Sequence, residues 1–338
     1  MGSPIEAVAK RANVSISTVS RVLNRRELVN RRTRLRVEQA IRELNYRPNV
    51  FARGLMLQKS EMLGLVLPDL HGEFYSEIIR GANLKARELG FVLVIASSHG
   101  PEDARALLAD LQRRGITDGL AVMLSERDGD VAPMLSDCRV PVVLVDGTLD
   151  GASYDAVVID QRGGALAMMR HLIDTCLCRR ILFVGGLPTN VDTIARIEAY
   201  KQALTEARLP ISPSDIHHLD YHYETAYEFA RRHVREWAGQ GHCVFAANDE
   251  MASGIIDAAT AVGLTVPQEL AVVGFDDTRV ARMTRPPLTT VHVPMAQMGA
   301  TAVELLCRRL ADTQQPQALV SLSPQLVVRE SCGASRRR

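Results

Sequence analysis

The chain is poor in the signals that would place it in a membrane, outside the cell or among the enzymes. No apolar run approaches the roughly 20 residues needed to span a bilayer. A signal-peptide core is missing from the first thirty residues, because Glu6, Lys10 and Arg11 break every apolar stretch there. Glu6 also stands where N-myristoylation needs Ser or Thr. No G-x-G-x-x-G follows a strand-like run, and there is neither a phosphate loop nor a G-x-S-x-G elbow. Neither a cofactor nor catalytic turnover is therefore expected. The six cysteines are scattered, and the one close pair, Cys176-x-Cys178, has the spacing of neither a zinc knuckle nor a redox dithiol. A reduced, cytoplasmic chain is the plain reading. His217, His218 and His222 cluster without a cysteine or a second carboxylate at ligand spacing, so no metal is expected.

Net charge is nearly absent as well, at +1, but the average conceals an asymmetry. Residues 1–60 carry 13 Lys and Arg against four Glu and no Asp, a net of +9. The other 278 residues carry 27 basic and 35 acidic side chains, a net of −8. A basic head on an acidic body describes a polyanion-binding module joined to a module of another kind. At 338 residues and 46% apolar, the chain suits two or three soluble globular domains.

In the head, Ser3-Pro4-Ile5-Glu6 reads as a helix start, with Ser as N-cap, Pro at the first position and Glu closing a capping box. Ile5, Val8, Ala9 and Ala12 then share one face. Asn13 tolerates the left-handed backbone of a sharp turn. Ser15 can cap a second helix to about Leu23, with Val19 and Leu23 inward. Asn30 can cap a third, with Val37, Ile41 and Leu44 as its apolar stripe. Three short helices with a tight turn between the first two make a helix-turn-helix, whose second helix enters the major groove. Its outward residues are Ile16, Ser17, Thr18, Ser20 and Arg21, and together with the capping Ser15 they are the candidate DNA contacts of this helix. Arg can pair two donors with guanine, Ile16 can meet a thymine methyl, and the hydroxyls suit phosphates or bases.

These residues resemble the headpiece of the lactose-repressor family of bacterial transcriptional regulators. The likeness runs through Val14-Ser-Ile-Ser-Thr-Val-Ser-Arg-Val-Leu-Asn24, Thr33-Arg34 and Leu44-Asn-Tyr-Arg-Pro-Asn49. The resemblance implies base reading by Ile16, Ser17 and Arg21, and backbone contact or capping by Asn24, Asn30 and Thr33. Residues 49–59 match the family's hinge, which implies a short helix on operator DNA with Leu55 wedged into the minor groove beside Ala52, and Asn49 at its start. Pro4, Ala7, Asn13 and Asn30 depart from the family's usual residues.

From Met62 onward, apolar runs at 62–67, 91–96, 119–124, 142–145, 181–184, 243–247 and 270–274 alternate with amphipathic helical stretches. Such alternation indicates parallel sheets covered on both faces. The fold expected is α/β: a three-helix headpiece and a two-subdomain, doubly wound core like the periplasmic binding proteins. Its expected divisions are a headpiece at 1–48, a hinge at 49–60, a core at 61–332 and a tail at 333–338. Within the core, one subdomain takes 61–160 and 291–321, the other 161–290 and 322–332.

Ligands of such folds bind beyond the carboxyl ends of the strands. There the chain places Asp69, Asp146, Tyr221, Asn248 and Asp276. Carboxylates and an amide beside aromatic rings suit polyhydroxylated ligands, although acidic residues at strand ends also cap the next helix. The body too resembles the lactose-repressor core. That likeness implies an effector pocket containing Phe74 and Tyr75, the clamping Arg196, Tyr221, the asparagine of Ala-Asn-Asp249 and the first aspartate of Gly-Phe-Asp-Asp277. His71 and His292 read as surface or interface residues ahead of ligand contacts. Met123, Gln161 and Val293 depart from common family residues and leave the ligand open.

The function expected is a repressor that binds a near-palindromic, double-stranded operator as a homodimer, away from any membrane, and answers to a sugar-like effector. A nucleobase-responsive repressor is the alternative. A solute-binding protein would need a signal peptide and no basic head, and a sugar-processing enzyme would need motifs that are missing.

Overall fold

The computed structural model describes residues 4–24, 26–46, 59–98, 101–123, 135–136, 138–149, 154–239 and 241–334. It divides into two compact units, 1–60 and 61–338.

The first unit holds α1 (Pro4–Ala12), α2 (Ile16–Asn24), a short 3₁₀ turn (Arg26–Leu28) and α3 (Arg31–Glu43). Val8, Ala9, Ala12, Val19, Val22, Val37 and Ala40 form its core, so each helix turns one apolar stripe inward. Asn13 adopts φ 51°, the left-handed turn that its short polar side chain tolerates. The Arg36 guanidinium ties this turn to α3 by donating to the carbonyls of Ala12 (2.9 Å) and Asn13 (3.1 Å). The expected stripe of α3 ends one turn early. Leu44 is 43% exposed, because it lies at the C-cap where the chain leaves the bundle, and Ala40 is buried in its place.

The second unit begins with β1 (Met62–Leu67), α4 (Gly72–Glu88), β2 (Val92–Ser97), α5 (Pro101–Arg114), β3 (Gly119–Met123), β4 (Val142–Val145) and β5 (Asp155–Ile159). There follow α6 (Gln161–Arg170), β6 (Arg180–Gly185), α7 (Val191–Glu206), β7 (Ile216–His218), α8 (Tyr223–Trp237), β8 (His242–Ala246), α9 (Asp249–Ala261) and β9 (Ala271–Val273). It ends with α10 (Arg279–Met283), β10 (Thr290–His292), α11 (Met295–Ala311), β11 (Leu319–Leu322) and β12 (Gln325–Val327). A six-stranded sheet in the order β11-β5-β4-β3-β1-β2 makes one half, and a four-stranded sheet in the order β7-β6-β8-β9 the other. Every pairing within them is parallel. β3 and β4 are buried throughout, as continuous apolar runs in a two-sided sheet must be. The chain passes between the halves after β5, after β10 and after β11, and the short antiparallel ribbon β10–β12 lies at these crossings.

The half built on the larger sheet has two distinctive packing features. Helices α4 and α11 touch backbone to backbone: a Cβ added at Gly81 would lie 1.8 Å from the Ala296 carbonyl, and one at Gly299 2.1 Å from that of Ile78. At the outer edge of the sheet, β2 leaves Val92 58% and Ile95 40% exposed, with Leu84 of α4 also in solvent.

Candidate functional site

In the first unit, the order of α2 is imposed by Ser15, whose Oγ accepts from the Thr18 N–H at 3.2 Å and satisfies a free helix-start donor. Ser15 is thereby a cap, and its hydroxyl also meets those of Ser17 (2.8 Å) and Thr18 (2.9 Å). Val19 and Val22 point inward, which turns Ile16, Ser17 and Arg21 out to solvent, with Thr18 and Ser20 half-buried. Ile16 is 44% exposed, an apolar side chain left in water. Asn30 caps α3, its Oδ1 accepting from the Thr33 N–H at 2.9 Å, so these two expected backbone-contact residues fix the start of that helix. Asn24 ends α2. Ser3, Asn49, Ala52 and Leu55 lie outside the described residues.

In the second unit, a cavity of about 330 Å³ opens at the carboxyl ends of the strands, between the two sheets. One wall comes from Pro68, Asp69 and the first turn of α4, with Phe74 and Tyr75 edge-on to each other at 5.2 Å. The other comes from the loops and helix starts after β6, β7, β8 and β9, which bring Arg196, Tyr221, Asn248 and Asp276 together. Six of the seven expected effector residues therefore line one space.

Asp146 does not line it. With φ 53°, it turns its carboxylate behind the cavity, accepting from the Ile159 N–H (3.1 Å) and from Gln161 Nε2 (3.2 Å). Gln161 Oε1 in turn accepts from Arg196 Nε (3.2 Å) and Nη2 (2.7 Å). Arg196 Nη1 donates to the Ala247 carbonyl, and the guanidinium lies over the Phe275 ring at 4.0 Å. Asp146 is thus a positioning residue: through Gln161 it holds the arginine, which is 3% exposed, in one orientation.

The polar residues at helix starts divide in the same way. Asn248 Oδ1 caps α9 through the Met251 N–H (2.9 Å), and its amide donates to the Tyr221 carbonyl (2.8 Å). Asn190 caps α7 through the N–H groups of Asp192 and Thr193 and accepts from the Tyr221 hydroxyl at 3.0 Å. Both amides are committed to holding Tyr221. Asp276 is different. It is 7% exposed, at φ 112°, and its Oδ1 is buried with no hydrogen-bond partner among the described residues.

The cavity is rich in acceptors. Asp69, Asp192, Asp220, Glu250 and Asp276 line it against the single guanidinium of Arg196 and the imidazoles of His71 and His222. Burial holds the carboxyls of Asp276, Asp192 and Glu250 above the usual carboxylate range, and pushes the Tyr221 phenol up to about 12. Burial, with the charge of Asp192 behind it, pushes Asp146 to about 8. Across the cleft, Glu73 Oε2 accepts from the Arg279 N–H at 2.8 Å and joins the two halves beside the cavity.

Both units resemble known proteins. Residues 4–49 match the model for bacterial regulatory proteins of the lacI family, and residues 169–332 that for the periplasmic binding protein-like domain. Catabolite control protein A of Priestia megaterium is 33% identical over 332 residues, 98% of this chain and 99% of that protein. The chain belongs to the lacI family. The HTH-type transcriptional repressor PurR of Klebsiella pneumoniae (strain 342) is 34% identical, over 97% of this chain and 96% of its own length. Among solved structures, the lac repressor dimer bound to operator and the anti-inducer ONPF has a TM-score of 0.86 and 27% identity, covering 96% of this chain and 97% of that one. The transcriptional regulator CelR–cellobiose complex has a TM-score of 0.73 and 30% identity, covering 97% of this chain and 99% of that one. This lacI-family protein is accordingly a DNA-binding transcriptional repressor with an effector-binding core.

Several lining residues escaped the sequence reading. His71, expected at the surface or an interface, lines the cavity with His222, their rings 6.3 Å apart. His292 instead contacts Asp277 Oδ2 at 3.2 Å. Asn190 and Asp192 could have been flagged by the cap signature Asn-Val-Asp-Thr that follows β6, since that helix start faces the same strand ends as Asn248.

Proposed function

We propose that this lacI-family repressor binds a near-palindromic operator as a homodimer through α2, and that a neutral, polyhydroxylated small molecule of sugar type in the cavity changes its DNA affinity. The observation that carries the ligand class is the buried Oδ1 of Asp276, which has no hydrogen-bond partner among the described residues, in a cavity lined by four further carboxyl groups. An acceptor removed from water without a donor costs about 1–3 kcal/mol, which a ligand hydroxyl would recover. Phe74 and Tyr75 offer ring faces to the apolar side of such a ligand. A phosphorylated ligand fits poorly, because the three guanidinium nitrogens of Arg196 already have protein partners and the other lining acid–base groups are mostly carboxyls. Two-fold symmetry in the dimer implies matching half-sites in the DNA.

The test is selection of bound sequences from random duplex DNA, followed by titration of the protein–operator complex with neutral sugars, sugar phosphates and purines. Enrichment of one near-palindromic site, with affinity shifted by a neutral sugar, is the expected result. A response to purines alone overturns the sugar reading and leaves the operator reading standing. Absence of any enriched sequence overturns the assignment of α2 as a sequence reader.

A further inference from the structure

Away from the cavity, three soft or borderline metal-ligating groups meet inside the second half of the core. His171 Nε2 lies 3.3 Å from Cys332 Sγ and 3.4 Å from Cys176 Sγ, and the three donor atoms all lie within 4.8 Å of one another. We propose that His171, Cys176 and Cys332 form a zinc-binding site. The site is independent of the identity of the effector and of the operator.

The backbone brings the trio together by two separate devices. After α6 the helix widens into a single π turn, His171–Thr175, and the Cys176 N–H closes onto the His171 carbonyl at 3.0 Å. This i to i+5 closure returns residue 176 beneath residue 171, and isolated π turns of this sort concentrate at functional sites. Cys332 arrives from the far end of the chain. Ser331 pins it by donating to the Val272 carbonyl (2.6 Å) and accepting from the Thr289 N–H (2.8 Å). The two cysteines and the histidine are at most 9% exposed.

Geometry and charge are both compatible with zinc. With Zn–S near 2.3 Å and Zn–N near 2.0–2.1 Å, a tetrahedral ion holds its nitrogen and sulfur ligands about 3.5 Å apart. The two observed separations are within about 0.2 Å of that edge. One ion placed among the three donor atoms would take a ligand from each of them. Two thiolates and a neutral imidazole around Zn²⁺ carry no net charge, which suits a site so far from water. No carboxylate belongs to the trio, so Mg²⁺ and Ca²⁺, which require oxygen ligands, are excluded by ligand chemistry. The Thr289 hydroxyl donates to Cys332 Sγ at 3.2 Å, the kind of outer contact that orients a thiolate ligand. Residue spacing conceals the site, since His171 and Cys332 stand 161 positions apart.

Cobalt(II) is the probe. The full-length protein, stripped with a chelator and kept reduced with a phosphine under nitrogen, is titrated with Co²⁺. Thiolate-to-cobalt charge-transfer bands and intense tetrahedral d–d bands should saturate at one equivalent and be erased by one equivalent of Zn²⁺. Cys332→Ser and Cys176→Ser should lose these bands, and Cys138→Ser, in the other half, should keep them. Zinc-edge absorption on the wild-type protein needs no variant, and should count two sulfur scatterers near 2.3 Å and at least one nitrogen near 2.0–2.1 Å. Fully reduced wild-type protein that gives no bands at one equivalent overturns the proposal. So do bands that survive unchanged in a folded Cys332→Ser, or a zinc edge with only oxygen and nitrogen neighbours.

Discussion

At the scale of single residues, neighbours in the sequence perform different tasks. On α2, Ser15 is committed to the helix start while Arg21 is free to meet DNA. Arg21→Ala should cost about 1–3 kcal/mol on the selected operator and much less on random duplex, as measured by binding at fixed salt. Equal losses on both would make Arg21 a phosphate contact. In the core, Asn248 is a cap and Asp276 an open acceptor. Asp276→Ala should abolish the ligand response and leave operator binding intact, and a surviving response would displace the proposed site. Asp146 carries a pH signature. Its folded-state value, about 8, lies above the ordinary carboxyl value of about 3.9 in an unfolded chain. Between those two values the folded protein keeps a proton that the unfolded chain has released, so raising the pH favours unfolding throughout that window. Stability of the wild-type protein relative to Asp146→Asn should therefore fall as pH rises from about 4 to about 8 and level off above. Urea midpoints of the two proteins, compared at each pH, would reveal a flat difference if Asp146 were already ionised when folded.

Among the elements, the contact of α4 with α11 leaves no space for a side chain at Gly81. Gly81→Ala should separate the two helices and destabilise the core by about 1–3 kcal/mol in equilibrium unfolding, and an unchanged midpoint would mean the crossing gives way freely. The elements also differ in how far the sequence discloses them. Strands β1, β3, β4, β6 and β8 are continuous apolar runs because both of their faces are covered, and a run of that kind is legible in isolation. β10 and β12, three residues each, have no such run, because they cross between the halves and are held by each other. Leu44 misled for a related reason: helical spacing continues past Glu43, but the body of the bundle does not. Within the site, the strand-end rule picked out Tyr221, Asn248 and Asp276, all of which line the cavity. It could not separate Asp146 from them, since what holds that carboxylate out of the cavity is its bonding to the Ile159 N–H and to Gln161, more than ten residues away in the sequence. Contacts made across long separations, such as Gln161 with Arg196 or His171 with Cys332, leave no local pattern at all.

Across the whole molecule, ligand and operator are linked through one set of conformations. A ligand that prefers one arrangement of the two halves should change operator affinity by about 5–150-fold, and the operator must change ligand affinity by the same factor. Measuring ligand affinity with and without saturating operator tests that equality, and a one-sided effect would show that a third equilibrium intervenes. The bond from Glu73 to the Arg279 backbone is a contact that such a rearrangement has to break or keep.

The outer edge of the larger sheet has its own consequence. Val92, Ile95 and Leu84 stand in water when the chain is alone. If a second copy covers them, part of the folding free energy resides in association, and it shrinks as the protein is diluted. A repressor present in few copies would then be less durable than the same repressor in a concentrated tube, and operator DNA, by holding two copies together, would protect the fold as well as receive it.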